Sequence, residues 1–264
     1  LIGKGVRGLG LTNILETEEL SRNFGGQVAV NQVSFAVRQG EFKSIIGPNG
    51  AGKTTLFNLI SGLLPPSSGR IIFDGQDITH RPAYLRSHAG IGRSFQITTI
   101  FPNLTVLENV RLAAQSRGNH TFNFWQSFRH FSQDEERAYA ILELVMLGGR
   151  ELQPAQTLSH GDKRKLEIGI LLATSPKILL LDEPTAGMSR DEVPGIIEVV
   201  QRIKHAGGRT VMLVEHKMDM VMNVSDSVMV MHYGQAIADG RPEEIAQNET
   251  VQSAYLGSYT ERAE

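Results

Sequence analysis

Gly47-Pro-Asn-Gly-Ala-Gly-Lys-Thr-Thr55 follows directly on the apolar run Phe42 to Ile46. A glycine, four residues and then Gly52-Lys53-Thr54 is the spacing of a phosphate-binding loop between a strand and a helix. Gly47, Gly50 and Gly52 free the backbone to aim successive N–H groups at a polyphosphate, with Pro48, Asn49 and Ala51 between them. The helix opening near Gly52 adds its positive end. Lys53 supplies a point charge for the outer phosphates, and the Thr54 hydroxyl, followed by Thr55, suits Mg²⁺. Gly/Pro-rich turns are common between strands and helices. Here strand, loop and helix all agree, which predicts a nucleoside triphosphate site on an α/β core.

The bulk composition fits that reading and narrows it. The 264 residues are enough for a sizeable core, and 41% hydrophobic content with net charge −2 is ordinary for a globular chain. That balance argues against a nucleic-acid binder held by bulk charge. With no cysteine, disulfides, thiolate metal sites and a Cys nucleophile are excluded. No run of 18 apolar residues is present, so no transmembrane helix is expected. Leu1 to Leu11 lacks an initiator Met and holds four glycines, and reads as a flexible leader or cloning remnant, not a signal peptide.

Before the loop, Glu16 to Leu20 and Val33 to Val37 flank the turn Phe24-Gly-Gly-Gln27 and predict antiparallel strands. From spacing alone Phe24 reads as packing beside that turn. After the loop, a helix over Thr54 to Ser61 stops at Gly62, and a strand over Arg70 to Phe73 turns at Asp74-Gly75. Ile91 to Gln96 predicts a short strand ending on an amide. Thr105 with Glu108 and Ser132 with Glu135 each read as a capping box opening a helix, the second ending at Gly148-Gly149. Between them lie Phe122, Phe124, Trp125, Phe128 and Phe131, either packing of a helical subdomain or a docking surface.

The sheet resumes at Lys177 to Glu183, a continuous apolar run as a doubly covered parallel strand requires. Asp182 at its end suits Mg²⁺ held through water, and Glu183 suits a general base on an attacking water. Ser189 with Glu192 predicts another capping box, opening an amphipathic helix that ends before Gly207-Gly208. Thr210 to Val214 predicts a buried strand ending at His216, placed for a γ-phosphate. Val228 to Met231 and Ala236 to Ala238 predict a hairpin through Tyr233-Gly234. Ser159 and Gly161 in Leu158-Ser-His-Gly-Asp162 form a second helix N-terminus suited to anions, Ser159 and Asp162 making a capping box.

In this order the loop, Gln96, Leu158 to Asp162, Leu181-Asp182-Glu183 and His216 resemble the ATP-binding-cassette (ABC) ATPases, over about Glu16 to Gly257. The fold class implied is α/β: a P-loop NTPase core with a mainly parallel sheet (12–88 and 174–257), an N-terminal antiparallel β subdomain and an inserted helical subdomain (89–173). The resemblance implies ATP and Mg²⁺ bound between the P-loop of one subunit and the signature residues Ser159 and Gly161 of another, in a head-to-tail dimer. It implies that Phe24 stacks on adenine and that Gln96 links Mg²⁺ and water to a transmembrane partner. It further implies that Glu183 is the base and His216 the γ-phosphate contact.

Gly90 to Gln96, Leu104 to Val110, Leu166 to Ile168, Ala186 to Met188 and Ala254 to Gly257 resemble the ATPases of branched-chain (hydrophobic) amino-acid importers. Urea or amide importers and a lipid-exporting system are neighbouring readings. A soluble ABC regulator or a non-catalytic nucleotide sensor is disfavoured by a single P-loop and by intact Glu183 and His216. Permease subunits, a second ABC ATPase (homo- or heterodimeric) and an extracytoplasmic binding protein follow as partners, on the cytoplasmic face of the membrane. Two features depart from the family's usual sequence. His160 and Asp162 change the usual Leu-Ser-Gly-Gly-Gln, and Ser189 stands where an aspartate is usual. At an effective dielectric of about 20, a carboxylate about 8 Å from a γ-phosphate charge is repelled by about 2 kcal/mol. That weakens a closed ATP dimer unless Asp162 points away, for instance back to the Ser159 N–H, or Lys163, Arg164 and Lys165 offset its charge.

Overall fold

Three five-residue runs with every side chain buried form the middle of the molecule: Phe42–Ile46, Ile178–Asp182 and Thr210–Val214. The computed structural model describes residues 12–94, 100–116 and 127–260, with side chains described over 12–94, 100–116 and 133–254. In chain order the elements begin with β1 (Asn13–Phe24), β2 (Gln27–Arg38), β3 (Phe42–Ile46), α1 (Lys53–Ser61), β4 (Ser68–Phe73) and β5 (Gln76–Asp77). Then come α2 (Ala83–Ala89), β6 (Ile91–Arg93), α3 (Val106–Gln115), α4 (Ser127–Leu144) and α5 (His160–Ala173). The remainder is β7 (Ile178–Asp182), α6 (Val193–His205), β8 (Thr210–Val214), α7 (Met218–Val224), β9 (Ser227–His232), β10 (Gln235–Gly240), α8 (Pro242–Ala246) and α9 (Glu249–Thr260).

Two sheets result. One is antiparallel in the order β2-β1-β4-β5, and the other runs β10-β9-β3-β8-β7-β6, parallel except for the β9–β10 hairpin. Alternation along the strands explains their unbroken apolar runs. Ile178, Leu180, Met212 and Val214 point into a core shared with α1 and the antiparallel sheet. Leu179, Leu181, Val211 and Leu213 point into the opposite core, shared with α3, α4, α5 and α6. Both faces are covered, so both faces must be apolar. The C-terminal ends of β3, β7 and β8 share one edge, where an open α/β sheet offers its ligand crevice.

The expected N-terminal strands, P-loop strand, first helix with its Gly62 cap, and terminal hairpin are all present. The Thr105–Glu108 capping box is complete in both directions. Two helix starts differ from expectation. Helix α4 begins at Ser127 and runs through Ser132, so the Ser132–Glu135 pair does not open it; it ends at Leu144, with Met146 at φ 61 turning the chain before Gly148. Helix α6 begins at Val193, not after Ser189, because Glu192 Oε2 accepts from the Ser189 N–H while the Glu192 N–H bonds the Ser189 carbonyl, closing a separate turn. Ile91–Arg93 pairs in parallel with β7 and forms the edge strand of the six-stranded sheet. Gln96, Phe122, Phe124, Trp125, the 1–11 leader and the side chains of Phe128 and Phe131 lie outside the described residues.

Candidate functional site

The loop after β3 is clamped from both sides. Gly52 has φ 97, and a Cβ there would lie 2.2 Å from the Ala29 carbonyl oxygen. Gly47 has φ 152, and a Cβ there would lie 2.1 Å from the Met231 carbonyl oxygen. Only glycine lets β2 and β9 press on the loop in this way. Gly52 also serves as the N-cap of α1 with no side chain capping it, so the helix's leading N–H groups keep their anion-binding capacity. Lys53 is 5% exposed and its Nζ donates to the carbonyls of Gly47 (2.8 Å) and Pro48 (2.9 Å). Burial pushes the Lys53 ammonium below its ordinary pKa, while Glu183 and Asp182 pull it back up.

Opposite the loop, β7 delivers two carboxylates to different surroundings. Asp182 is buried, and its Oδ2 accepts from Arg93 at 3.0 Å while its Oδ1 has no hydrogen-bond partner. Burial raises the Asp182 pKa and Arg93 opposes that rise. Glu183 sits at φ 47, a strained conformation for a non-glycine residue. The surroundings hold it there: its N–H donates to the Val214 carbonyl, and its own carbonyl accepts from the Ala186 N–H and from Arg164. Its Oε1 lies 2.9 Å from His216 Nε2, so β7 and β8 present an acid–imidazole pair from adjacent strand ends. Buried Glu215 fixes the imidazole's backbone, taking the N–H groups of His216 (2.7 Å) and Lys217 (3.2 Å) on Oε2 and the Thr185 N–H and hydroxyl on Oε1.

A pocket of about 690 Å³ brings Phe24, Asn49, Gly50, Ala51, Gly52, Lys53, Thr54, Thr55, Glu183 and His216 together. Gly47 and Pro48, in the same loop, are not among the residues lining it. Phe24 is 44% exposed, with the Arg22 guanidinium 4.7 Å from its ring centroid. A second cleft of about 340 Å³, lined by His160, Lys163, Arg164, Asp182 and Glu183 among others, shares Glu183 with the first. Ser159 and Gly161 line neither. Among the described residues, no group of three His, Cys, Asp or Glu side chains forms a metal cage. Thr54 on the pocket wall and the unpartnered Asp182 Oδ1 therefore fit a cation that takes most of its ligands from phosphate and water.

Ser159 is the N-cap of α5, and its hydroxyl oxygen accepts from the Asp162 N–H at 3.1 Å. Asp162 is engaged within its own chain, through the Ser159 hydroxyl and not the Ser159 N–H, and Lys165 offsets its charge as anticipated. Its carboxylate takes the Ser159 hydroxyl (3.0 Å), Arg150 (2.5 Å) and Lys165 (3.2 Å), because two cations outbid one amide. Burial alone would raise its pKa, but Lys165, Ser159 and Arg150 more than offset this and hold Asp162 below the usual range. The Gly161 N–H donates to Glu192 Oε1 at 2.9 Å, tying the start of α5 to the turn before α6. Tyr233 also lines the larger pocket, and Arg93, Glu192 and Glu215 act on partners distant in the chain, contacts that carry no local signal in the sequence.

Residues 30–186 match the family model described as ABC transporter. This chain belongs to the ABC transporter family. It is an ATP-binding ATPase subunit of that family, and residues 237–260 match the model described as branched-chain amino acid ATP-binding cassette transporter. The high-affinity branched-chain amino acid transport ATP-binding protein BraF of Pseudomonas aeruginosa is 40% identical over 252 residues, 92% of this chain and 98% of that protein. LivG of Escherichia coli K12, with the same description, is 37% identical over 250 residues, again 92% and 98%. Among solved structures, the ADP conformation of an ATP-binding cassette of an ABC transporter superposes with TM-score 0.79 at 34% identity, covering 93% of this chain and 99% of that one. The cbiO1 protein of Clostridium perfringens, part of the ABC transporter complex cbiONQ, gives TM-score 0.78 at 31% identity, covering 92% and 95%.

Proposed function

We propose that this chain is the ATP-hydrolysing motor subunit of an importer for branched-chain or other hydrophobic amino acids. The observation that carries the reading is the Glu183–His216 pair, 2.9 Å apart on the wall of the phosphate-loop pocket. The match of residues 237–260 and the relatives' descriptions support the substrate class. We read 12–88 and 174–257, with Ile91–Arg93 added, as the nucleotide core, and the helices between as the inserted signature subdomain.

ATP lies in the larger pocket, its base at Phe24 and its phosphates over Gly47 to Thr55. Lys53 turns from the loop carbonyls to the outer phosphates. Mg²⁺, which Thr54 and Asp182 suit as ligands, supplies neutralisation of phosphate charge when bound. Glu183 accepts a proton from the water that attacks the γ-phosphorus, and the bond to the β–γ bridging oxygen breaks. His216 holds the Glu183 carboxylate in line and contacts the γ-phosphate. Most of the barrier lowering is positioning and charge stabilisation. Gln96 connects this chemistry to the permease. Because Ser159 and Gly161 stand outside the pocket of their own chain, they serve the nucleotide of a second ATPase subunit arranged head to tail, identical or homologous. The chain works on separate permease subunits, with an extracytoplasmic binding protein delivering the substrate; among the described residues no helix is long and apolar enough to cross a membrane.

Glu183→Gln tests the mechanism. It retains ATP binding and loses hydrolysis by about 100-fold or more, the range of general-base effects, in a phosphate-release assay. Near-normal turnover in that variant would refute the assignment of Glu183.

A further inference from the structure

The pocket beside the phosphate loop has two exposed aromatic side chains, and only Phe24 has a role so far. Tyr233, in the turn between β9 and β10, lines the same pocket and is 69% exposed. Its backbone has φ 45, a left-handed conformation that bulky residues seldom adopt. Asparagine or glycine would suit such a turn better on backbone grounds alone. The turn is nonetheless rigidly placed. The Gly234 N–H donates to the Ala51 carbonyl of the phosphate loop (3.1 Å), and the Gly234 carbonyl accepts from the Asn31 N–H of β2 (2.8 Å). Gly234 also packs so closely on Ala29 that a Cβ would lie 3.0 Å from its carbonyl oxygen.

One turn is thus pinned to the loop that cradles phosphate and to the strand that follows Phe24. A large aromatic in a strained turn, set on a ligand pocket and kept out of the core, breaks a local rule at a site where binding can explain it. Phe24 has Arg22 over its ring, so a base has the opposite ring face to meet.

We propose that Tyr233 is a second base-contacting aromatic, so that base binding is shared between Phe24 on one strand end and Tyr233 on the C-terminal hairpin. The inference rests on the nucleotide reading of the pocket. Every base has a π-face, so two aromatic contacts favour a nucleoside triphosphate over a bare polyphosphate without choosing strongly between purines.

Calorimetric titrations of the full chain with a non-hydrolysable ATP analogue, the matching GTP analogue and inorganic tripolyphosphate test this. Tyr233→Asn keeps a residue suited to the left-handed turn and removes the ring. It weakens both nucleotide analogues about tenfold, on the scale of base–aromatic stacking, and leaves tripolyphosphate within about twofold. Tyr233→Phe restores wild-type binding. Unchanged nucleotide affinity in Tyr233→Asn would overturn the proposal, as would an equal loss of tripolyphosphate, which marks a displaced phosphate loop. A wild-type chain that binds tripolyphosphate but gains nothing from a base would overturn the two-aromatic contact alone. Binding of none of the three would overturn the nucleotide reading with it.

Discussion

Replacing Arg93 by methionine isolates the energetics beneath the site. The guanidinium donates to Asn58 Oδ1 (2.6 Å), Ser61 Oγ (2.8 Å) and Asp182 Oδ2 (3.0 Å), and the side chains of Arg93 and Asp182 are 9% and 1% exposed. Methionine keeps the unbranched stem and removes the charge. Asp182 is then a buried carboxylate whose Oδ1 already lacks a partner and whose Oδ2 has lost its own. Breaking a buried ion pair from one side costs about 3–5 kcal/mol. Asn58 loses a charged donor as well, so about 4 kcal/mol is expected in total, a large share of the roughly 5–15 kcal/mol that holds a domain together.

Urea unfolding at neutral pH, without nucleotide and with a chelator present, measures this directly. With a slope of about 2–3 kcal/mol per molar, the midpoint falls by about 1.3–2 M. Adding Asp182→Asn removes the stranded charge, so the double variant recovers at least about 2 kcal/mol relative to Arg93→Met alone. A single variant within about 1 kcal/mol of wild type, or a double variant no more stable than the single, would refute the view that Arg93 is there to neutralise Asp182.

Gly52→Ala sets a Cβ 2.2 Å from the Ala29 carbonyl oxygen at φ 97, so the loop must move away from β2. Affinity for the ATP analogue and for tripolyphosphate both fall, by about tenfold or more in calorimetry, and wild-type binding would contradict the clamp described above. Asp162→Gln restores the family's usual residue and releases Arg150 and Lys165; at neutral pH it costs less than about 1 kcal/mol, since these pairs are part-exposed and screened. Asp162 is held below its ordinary pKa, so its contribution is present above about pH 4 and is lost as pH falls through the depressed value. Urea melts of this variant and the wild type therefore converge toward acid pH, and a gap that widens there would contradict the sign.

What could be seen in the chain beforehand was local. The strand before the phosphate loop, the loop itself, and the runs at Ile178–Asp182 and Thr210–Val214 carry their signals within a few residues of one another. The site residues Lys53, Glu183 and His216 converge because strand ends converge, and that follows from topology. Helix starts were harder. Ser132–Glu135 has the letters of a cap but lies inside α4, and the Ser189–Glu192 contact closes a turn short of α6. A capping residue works only where the backbone leaves the helix, and tertiary packing decides that. The long-range contacts of Arg93, Glu215 and Glu192 were invisible for a related reason: their partners Asp182, Thr185 and Gly161 lie 89, 30 and 31 residues away. The Lys165 contact of Asp162 was legible three residues on, whereas the Arg150 contact was not, because Arg150 precedes the signature in a different segment.

The position of β3 has a consequence for how the chain is made. The strand lies between β8 and β9, pairing with both. Gly40 donates to Thr210 across 170 residues, and Phe42 to Asp226 across 184. On a ribosome adding roughly 5–20 residues per second, that gap lasts on the order of ten to forty seconds. Throughout that interval Phe42 to Ile46 is an apolar strand with neither neighbour synthesised, the kind of bare edge that seeks other chains. The phosphate cradle is therefore written early and assembled late, and the nascent chain needs shelter until its C-terminal strands emerge.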